Sequence, residues 1–93
     1  MDVKKIKEQL ERESFKHVFE WEDAPDIEYQ KHSHKDKVVF YIVYGGVTMY
    51  FGDKTLEFKK GDRFDVPVGI EHTAKVGNQG CKWVVGEMIE GDA

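Results

Sequence analysis

From Phe15 onward, apolar and polar positions alternate with a period of two, in short runs broken by glycine, proline and aspartate. Such alternation marks strands with one face in a core and the other toward water. The pattern predicts strands at 16–22, 27–34, 37–44, 47–51, 55–58, 63–66, 71–76 and 82–89. Gly45-Gly46 and Gly52-Asp53 read as hairpin turns, because a positive φ is cheap for glycine and tolerable for aspartate. Ahead of the strands the period changes. Val3, Ile6 and Leu10 share one helical face while Lys4, Lys5, Lys7, Glu8, Glu11 and Arg12 fill the rest, which predicts an amphipathic helix over 2–13. Eight closely spaced strands predict an all-β sandwich or barrel, with the helix lying on its outside or on a second subunit.

Strand parity also assigns directions. His72 shares a face with Ala74 and Val76, opposite Glu71, Thr73 and Lys75, so its imidazole is expected to point inward. In 27–34 the same rule groups Glu28, Gln30, His32 and His34. Three imidazoles in an apolar interior are costly unless satisfied, and one metal ion satisfies all three. His32, His34 and His72 are therefore the candidate metal ligands, with Gln30 as a further contact or substrate hydrogen-bonding group and Glu28 as the nearest acid or base. In the run from Gly61 to His72, Pro67 fixes φ and Gly69 lets the chain double back, so the loop delivers His72 to a defined place. Phe40, Ile42, Tyr44, Met49, Phe51, Phe64 and Trp83 are expected to fill the barrel. His17 reads as a packed or surface histidine, Asp36 as solvated in a turn, and Asp62 and Asp65 as solvent-facing turn residues.

Composition narrows the partners. The 93 residues amount to one domain, a helix over 1–14 and a barrel over 15–90, and a chain this size hides only about 60–65% of its unfolded surface. A 40% apolar and 13% aromatic content predicts a folded globule, and a net charge of −4 offers no footprint for nucleic acid or an anionic membrane. Neither a serine–histidine–aspartate spacing nor a phosphate-cradling glycine loop is present. Cys81 is the single cysteine, expected to be buried and inert, and the first residues lack the apolar run of a secretory signal; a cytoplasmic location is expected.

The spacing Gly61, five residues, Pro67, one residue, Gly69, two residues, His72 resembles the second conserved motif of the cupin superfamily. His32-Ser33-His34, with Gly45 eleven residues on, resembles the first. The resemblance implies a small cupin or jelly-roll β-barrel of two facing antiparallel sheets, with a metal or small ligand in one mouth. Three positions depart from the motifs: Val38 and not glutamate four residues after the second histidine, Asp26 in place of the opening glycine, and Val76 in place of the closing asparagine, although Asn78 lies two residues on. A three-histidine set without the carboxylate suits one divalent transition metal (zinc, nickel, iron, copper or manganese) acting on or binding a small oxygen-rich molecule such as a sugar, keto acid or enediol. The resemblance permits metal-dependent isomerase, dioxygenase or decarboxylase chemistry. The alternative is a non-catalytic ligand-binding or structural cupin that has lost its metal with the glutamate. A barrel this small leaves exposed strand edges, so a homodimer paired through the N-terminal strand is expected.

Overall fold

The structure, a computed structural model, describes residues 2–88. Helix α1 (Val3–Arg12) precedes six described strands: β1 (His17–Asp23), β2 (Glu28–His32), β3 (Val38–Phe51), β4 (Lys54–Lys59), β5 (Arg63–Val66) and β6 (His72–Glu87). All pairings are antiparallel. The first half of β3 and the last half of β6 lie between β1 and β5, and the remaining halves lie between β2 and β4. Two four-stranded faces therefore share the same two long strands. Side chains from both faces meet in one core: Phe40 of β3 packs edge-on against Phe58 of β4 with ring centroids 5.3 Å apart, and against Trp83 of β6 at 5.0 Å. This is the all-β jelly roll expected from the alternation.

The division into strands differs from expectation at two places. Segments 37–44 and 47–51 are one strand, as are 71–76 and 82–89 as far as Glu87; Ile89 and the end of the barrel at 90 lie outside the described residues, as does Met1. Gly45-Gly46 is a bend within β3 and makes no hairpin. The reason is a backbone crossing: a Cβ added to Gly45, whose φ is 72°, would stand 1.9 Å from the carbonyl oxygen of Gly80. Glycine here permits contact between two bent strands and a register shift between Gly45 and Val47. Gly52-Asp53 does close the β3–β4 hairpin, where Phe51 pairs with Lys54. The register also shifts between Ile42 and Tyr44, and Tyr44, expected in the core, is 55% exposed.

The helix covers its own barrel. Leu10 and Phe15 form a buried cluster with Val39 and Val84, the outward neighbours of core residues on β3 and β6, and Val3, Ile6 and Val18 pack beside them. Asp2 caps the helix by accepting from the Lys5 N–H. At the other end Glu13 receives a bidentate pair from Arg63 of β5, Nη2 to Oε1 at 2.7 Å and Nη1 to Oε2 at 2.9 Å. No described helix is long and apolar enough to cross a membrane.

The Arg63 hydrogen bonds hold the Glu13 carboxyl down at about 2, against an ordinary 4.5. A lowered folded-state value stabilises the fold above the unfolded value, and that contribution is lost as pH falls through the folded one. Glu13→Gln is expected to lower the melting temperature at pH 7 by roughly 5 °C, or ~1 kcal/mol, with the gap from wild type closing between pH 4.5 and 2 in calorimetric scans.

Candidate metal centre

His32 ends β2 and His72 opens β6, and the two are Cα partners across the ladder, so their side chains leave the same face. Between them and the next pair the strand is irregular. Tyr29 pairs with Ala74 and His32 with His72, so three steps on β2 answer two on β6. This bulge reverses parity, bringing Tyr29 onto the cavity side with His32. Glu28 and Gln30, expected beside the histidines, are exposed and do not line the cavity. Simple alternation through 27–34 misplaces both residues because it carries no signal for the inserted step.

His34 lies past the end of β2, on a loop whose backbone is tied to the one before His72: the His34 carbonyl accepts from the Gly69 N–H at 2.9 Å. Gly69 adopts φ 77°, which lets its N–H turn back toward that carbonyl. Asp26 takes φ 64°, the conformation expected of the glycine it replaces, and its N–H donates to the Gly77 carbonyl.

The candidate ligand atoms of His32, His34 and His72 lie within 4.8 Å of one another. The rings are 4.4 Å apart between His32 and His72, 5.0 Å between His32 and His34, and 5.4 Å between His34 and His72, and Phe51 packs on His72 at 4.8 Å. Hydrogen bonds determine which nitrogens face inward. His32 Nδ1 is 2.7 Å from the Gln30 carbonyl and His72 Nδ1 is 3.0 Å from that of Ile70. A carbonyl only accepts, so both Nδ1 atoms carry a proton, which leaves Nε2 as the nitrogen through which either ring can bind a metal. His72 is 2% exposed and its Nε2 is buried without a partner. Burial is the first cause lowering the proton affinities of His34 and His72 below the ordinary imidazole value, with neighbouring histidines adding to it. Converging ring nitrogens, an orphaned buried Nε2 on His72 and the lowered proton affinities of His34 and His72 fit a divalent metal.

Beside the histidines opens a cavity of about 330 Å³ whose walls include Phe40, Met49, Val66, Tyr29 and Trp83. Its aromatic wall hangs on Asp23, which accepts from Tyr29 Oη at 2.6 Å, Trp83 Nε1 at 3.0 Å and Trp21 Nε1 at 3.2 Å. Burial, followed by the bond to Asp23, pushes the Tyr29 hydroxyl up to about 12, so it remains a donor. Val38 is buried in the cavity wall. Cys81 is buried, and its thiol is pushed up to about 12 by that burial.

Sequence reasoning missed Glu87. It lines the cavity, and its Oε1 accepts from His17 Nδ1 at 3.0 Å. The signal was available, since Glu87 shares strand parity with the inward Trp83.

The two shared strands, the crossing at Gly45 and Gly80 and the histidine-lined mouth define a cupin barrel. The chain belongs to the AraC-like ligand-binding domain family, a cupin-type domain, whose model matches residues 18–85. Among solved structures it is similar to the cupin domain of Cnp3 from Schizosaccharomyces pombe (TM-score 0.69, 19% identity), covering 78% of this chain and 52% of that one. A cupin-2 protein from Shewanella frigidimarina gives TM-score 0.63 and 23% identity over 77% of this chain and 67% of that one. A variant of Bacillus subtilis oxalate decarboxylase gives TM-score 0.69 and 18% identity, with 76% of this chain and 20% of the enzyme covered. The chain thus spans about half of the Cnp3 cupin domain and a fifth of the decarboxylase. No curated protein matches it by sequence.

Removing the shared acceptor tests the aromatic wall. Asp23→Ala leaves Trp83 Nε1 and the Tyr29 hydroxyl unpaired and is expected to cost about 2–4 kcal/mol in urea denaturation, with Asp23→Asn recovering part of the loss.

Proposed function

We propose that this barrel holds one divalent transition metal through Nε2 of His32 and His72 and a ring nitrogen of His34, and that a small molecule with an oxygen donor binds against it in the adjoining cavity. The observation that carries the reading is the pair of Nδ1–carbonyl hydrogen bonds, which commits both imidazoles to inward lone pairs while His72 Nε2 lies buried and unpaired. The family's description as ligand-binding supports the second half, and the Mn(II) centres of B. subtilis oxalate decarboxylase support the first by analogy of fold.

Three neutral nitrogen donors favour zinc, iron, nickel or copper over manganese, which prefers oxygen. When bound, such an ion supplies an undiminished double charge for polarising a ligand oxygen. The chain's own residues do the rest. Carbonyls of Gln30 and Ile70 hold two tautomers, and the apolar wall keeps water from competing for the ligand. A cavity of about 330 Å³ admits a compact molecule, with a keto acid or enediol head at the histidines and an apolar body along Phe40 and Trp83. The walls are too apolar to satisfy the many hydroxyls of a sugar.

Metal analysis of protein purified without chelator or affinity metal, then loaded with Zn²⁺, Ni²⁺ or Fe²⁺, tests the reading. Near-stoichiometric metal and a raised melting temperature are expected in wild type, with both lost in His72→Ala and His34→Ala. Metal-free wild type with no thermal response to any of the three ions would sink it and leave a pocket whose histidines hydrogen-bond the ligand directly.

The reading extends to a homodimer. β1 is a sheet edge and carries Trp21, which is 52% exposed, so pairing with a second copy would cover both. Sedimentation is expected to give a dimer at micromolar concentration; a stable monomer rejects this extension.

A further inference from the structure

His17, Glu87 and Val38 stand in register across three adjacent strands: Glu87 is the Cα partner of His17 on one side and of Val38 on the other. Directly opposed residues project from the same face of a sheet. The buried Val38 faces the cavity, and Glu87 lines it too, with its side chain about a third exposed. A carboxylate therefore stands in a wall otherwise built from Phe40, Trp83, Val85 and Val66. Its oxygens lie outside the group of ligand atoms that gather within 4.8 Å, yet it stands near enough for its charge to act on His34. His17 holds it in place: Nδ1 donates to Oε1 at 3.0 Å, and the His17 ring rests on Phe19 with centroids 4.8 Å apart. A carboxylate accepts at two oxygens, and His17 takes one.

We infer that Glu87, oriented by His17, determines which ligands this site admits: molecules that bring a hydroxyl hydrogen to the carboxylate while presenting an adjacent oxygen to the histidines. This rests on the metal reading above. A ligand filling the cavity strips water from Glu87, and that loss is made good only by a donor. A second carboxylate on the ligand fails twice, leaving Glu87 without a donor and adding repulsion between like charges at short range. The remaining walls fit an apolar or aromatic body. Within the oxygen-donor ligands proposed above, the class therefore narrows to compact molecules with two vicinal oxygens, one of them protonated, as in a catechol, an enediol or an α-hydroxy ketone; dicarboxylates and keto acids without a hydroxyl are excluded.

The test uses zinc-loaded full-length protein, with zinc content measured first, and two probes of similar bite: catechol and oxalate. Calorimetric titration is expected to show catechol bound at least about tenfold more tightly than oxalate by wild type. Glu87→Gln keeps the shape but removes the charge; it is expected to cut that ratio by about tenfold with zinc content unchanged. His17→Phe leaves the carboxylate but frees it to turn, and is expected to reduce the ratio less. A zinc-loaded wild type that prefers oxalate, or a ratio that Glu87→Gln does not move, overturns the assignment and leaves the metal site standing. A wild type that takes up no zinc, nickel or iron overturns both.

Discussion

The backbone contact between Gly45 and Gly80 is the constraint on which the rest of the barrel depends. It lets β3 and β6 pass each other closely enough to stay hydrogen-bonded on both sides of their bends, so one ladder serves two faces. Without the bends the same strands would make a flat sheet, with Phe58 of β4 unable to reach Phe40 of β3. The pairing is also far from local. Val38 meets Glu87 and Tyr50 meets Thr73, so neither half of the barrel has its partner until both long strands are in place. Such a topology closes large loops before it gains contacts, which makes folding cooperative and slow relative to helical proteins of this size.

The same crossing places the chemistry. The near half of β6 begins with His72 and its far half ends with Glu87, so one strand contributes a histidine and a carboxylate to the same cavity. The cavity combines two kinds of polar group in an apolar shell. Histidines, two of them with lowered proton affinity, and a carboxylate braced by His17 line the same space, and the carboxylate's charge is felt at His34. The aromatic wall of the cavity is tied through Asp23, a single acceptor shared by Tyr29, Trp83 and Trp21. Helix α1 touches none of this directly. It seals the outer face over Val39 and Val84, and Arg63 links its end to β5.

Much of this was legible in the chain. Alternation gave the all-β class, helical spacing gave α1, and the run from Gly61 to His72 gave the loop that presents the third histidine, because each depends on local periodicity or on the φ preferences of glycine and proline. Long-range geometry was not legible. Gly45-Gly46 has the composition of a turn, and only the presence of Gly80 across from it makes it a bend. The bulge between Tyr29 and His32 has no residue signature, so Glu28 and Gln30 were assigned to the cavity face and Tyr29 was overlooked. Glu87 was within reach of parity, yet its pairing with His17 joins residues seventy positions apart and is visible only once β1 and β6 lie side by side.

The two histidines whose tautomers are locked take their orienting bond from the main chain two residues earlier, Gln30 for His32 and Ile70 for His72. Each therefore carries its support within its own stretch of backbone, and no neighbouring side chain has to be retained for it. Substitutions can accumulate around the histidines while their lone pairs continue to point inward, which makes the centre tolerant of sequence drift. The same arrangement limits its tuning. A carbonyl is a weaker base than a carboxylate and leaves the imidazole a poorer electron donor, and no single replacement at the supporting position can change that. A lineage that needed a more electron-rich centre would have to move the strand itself.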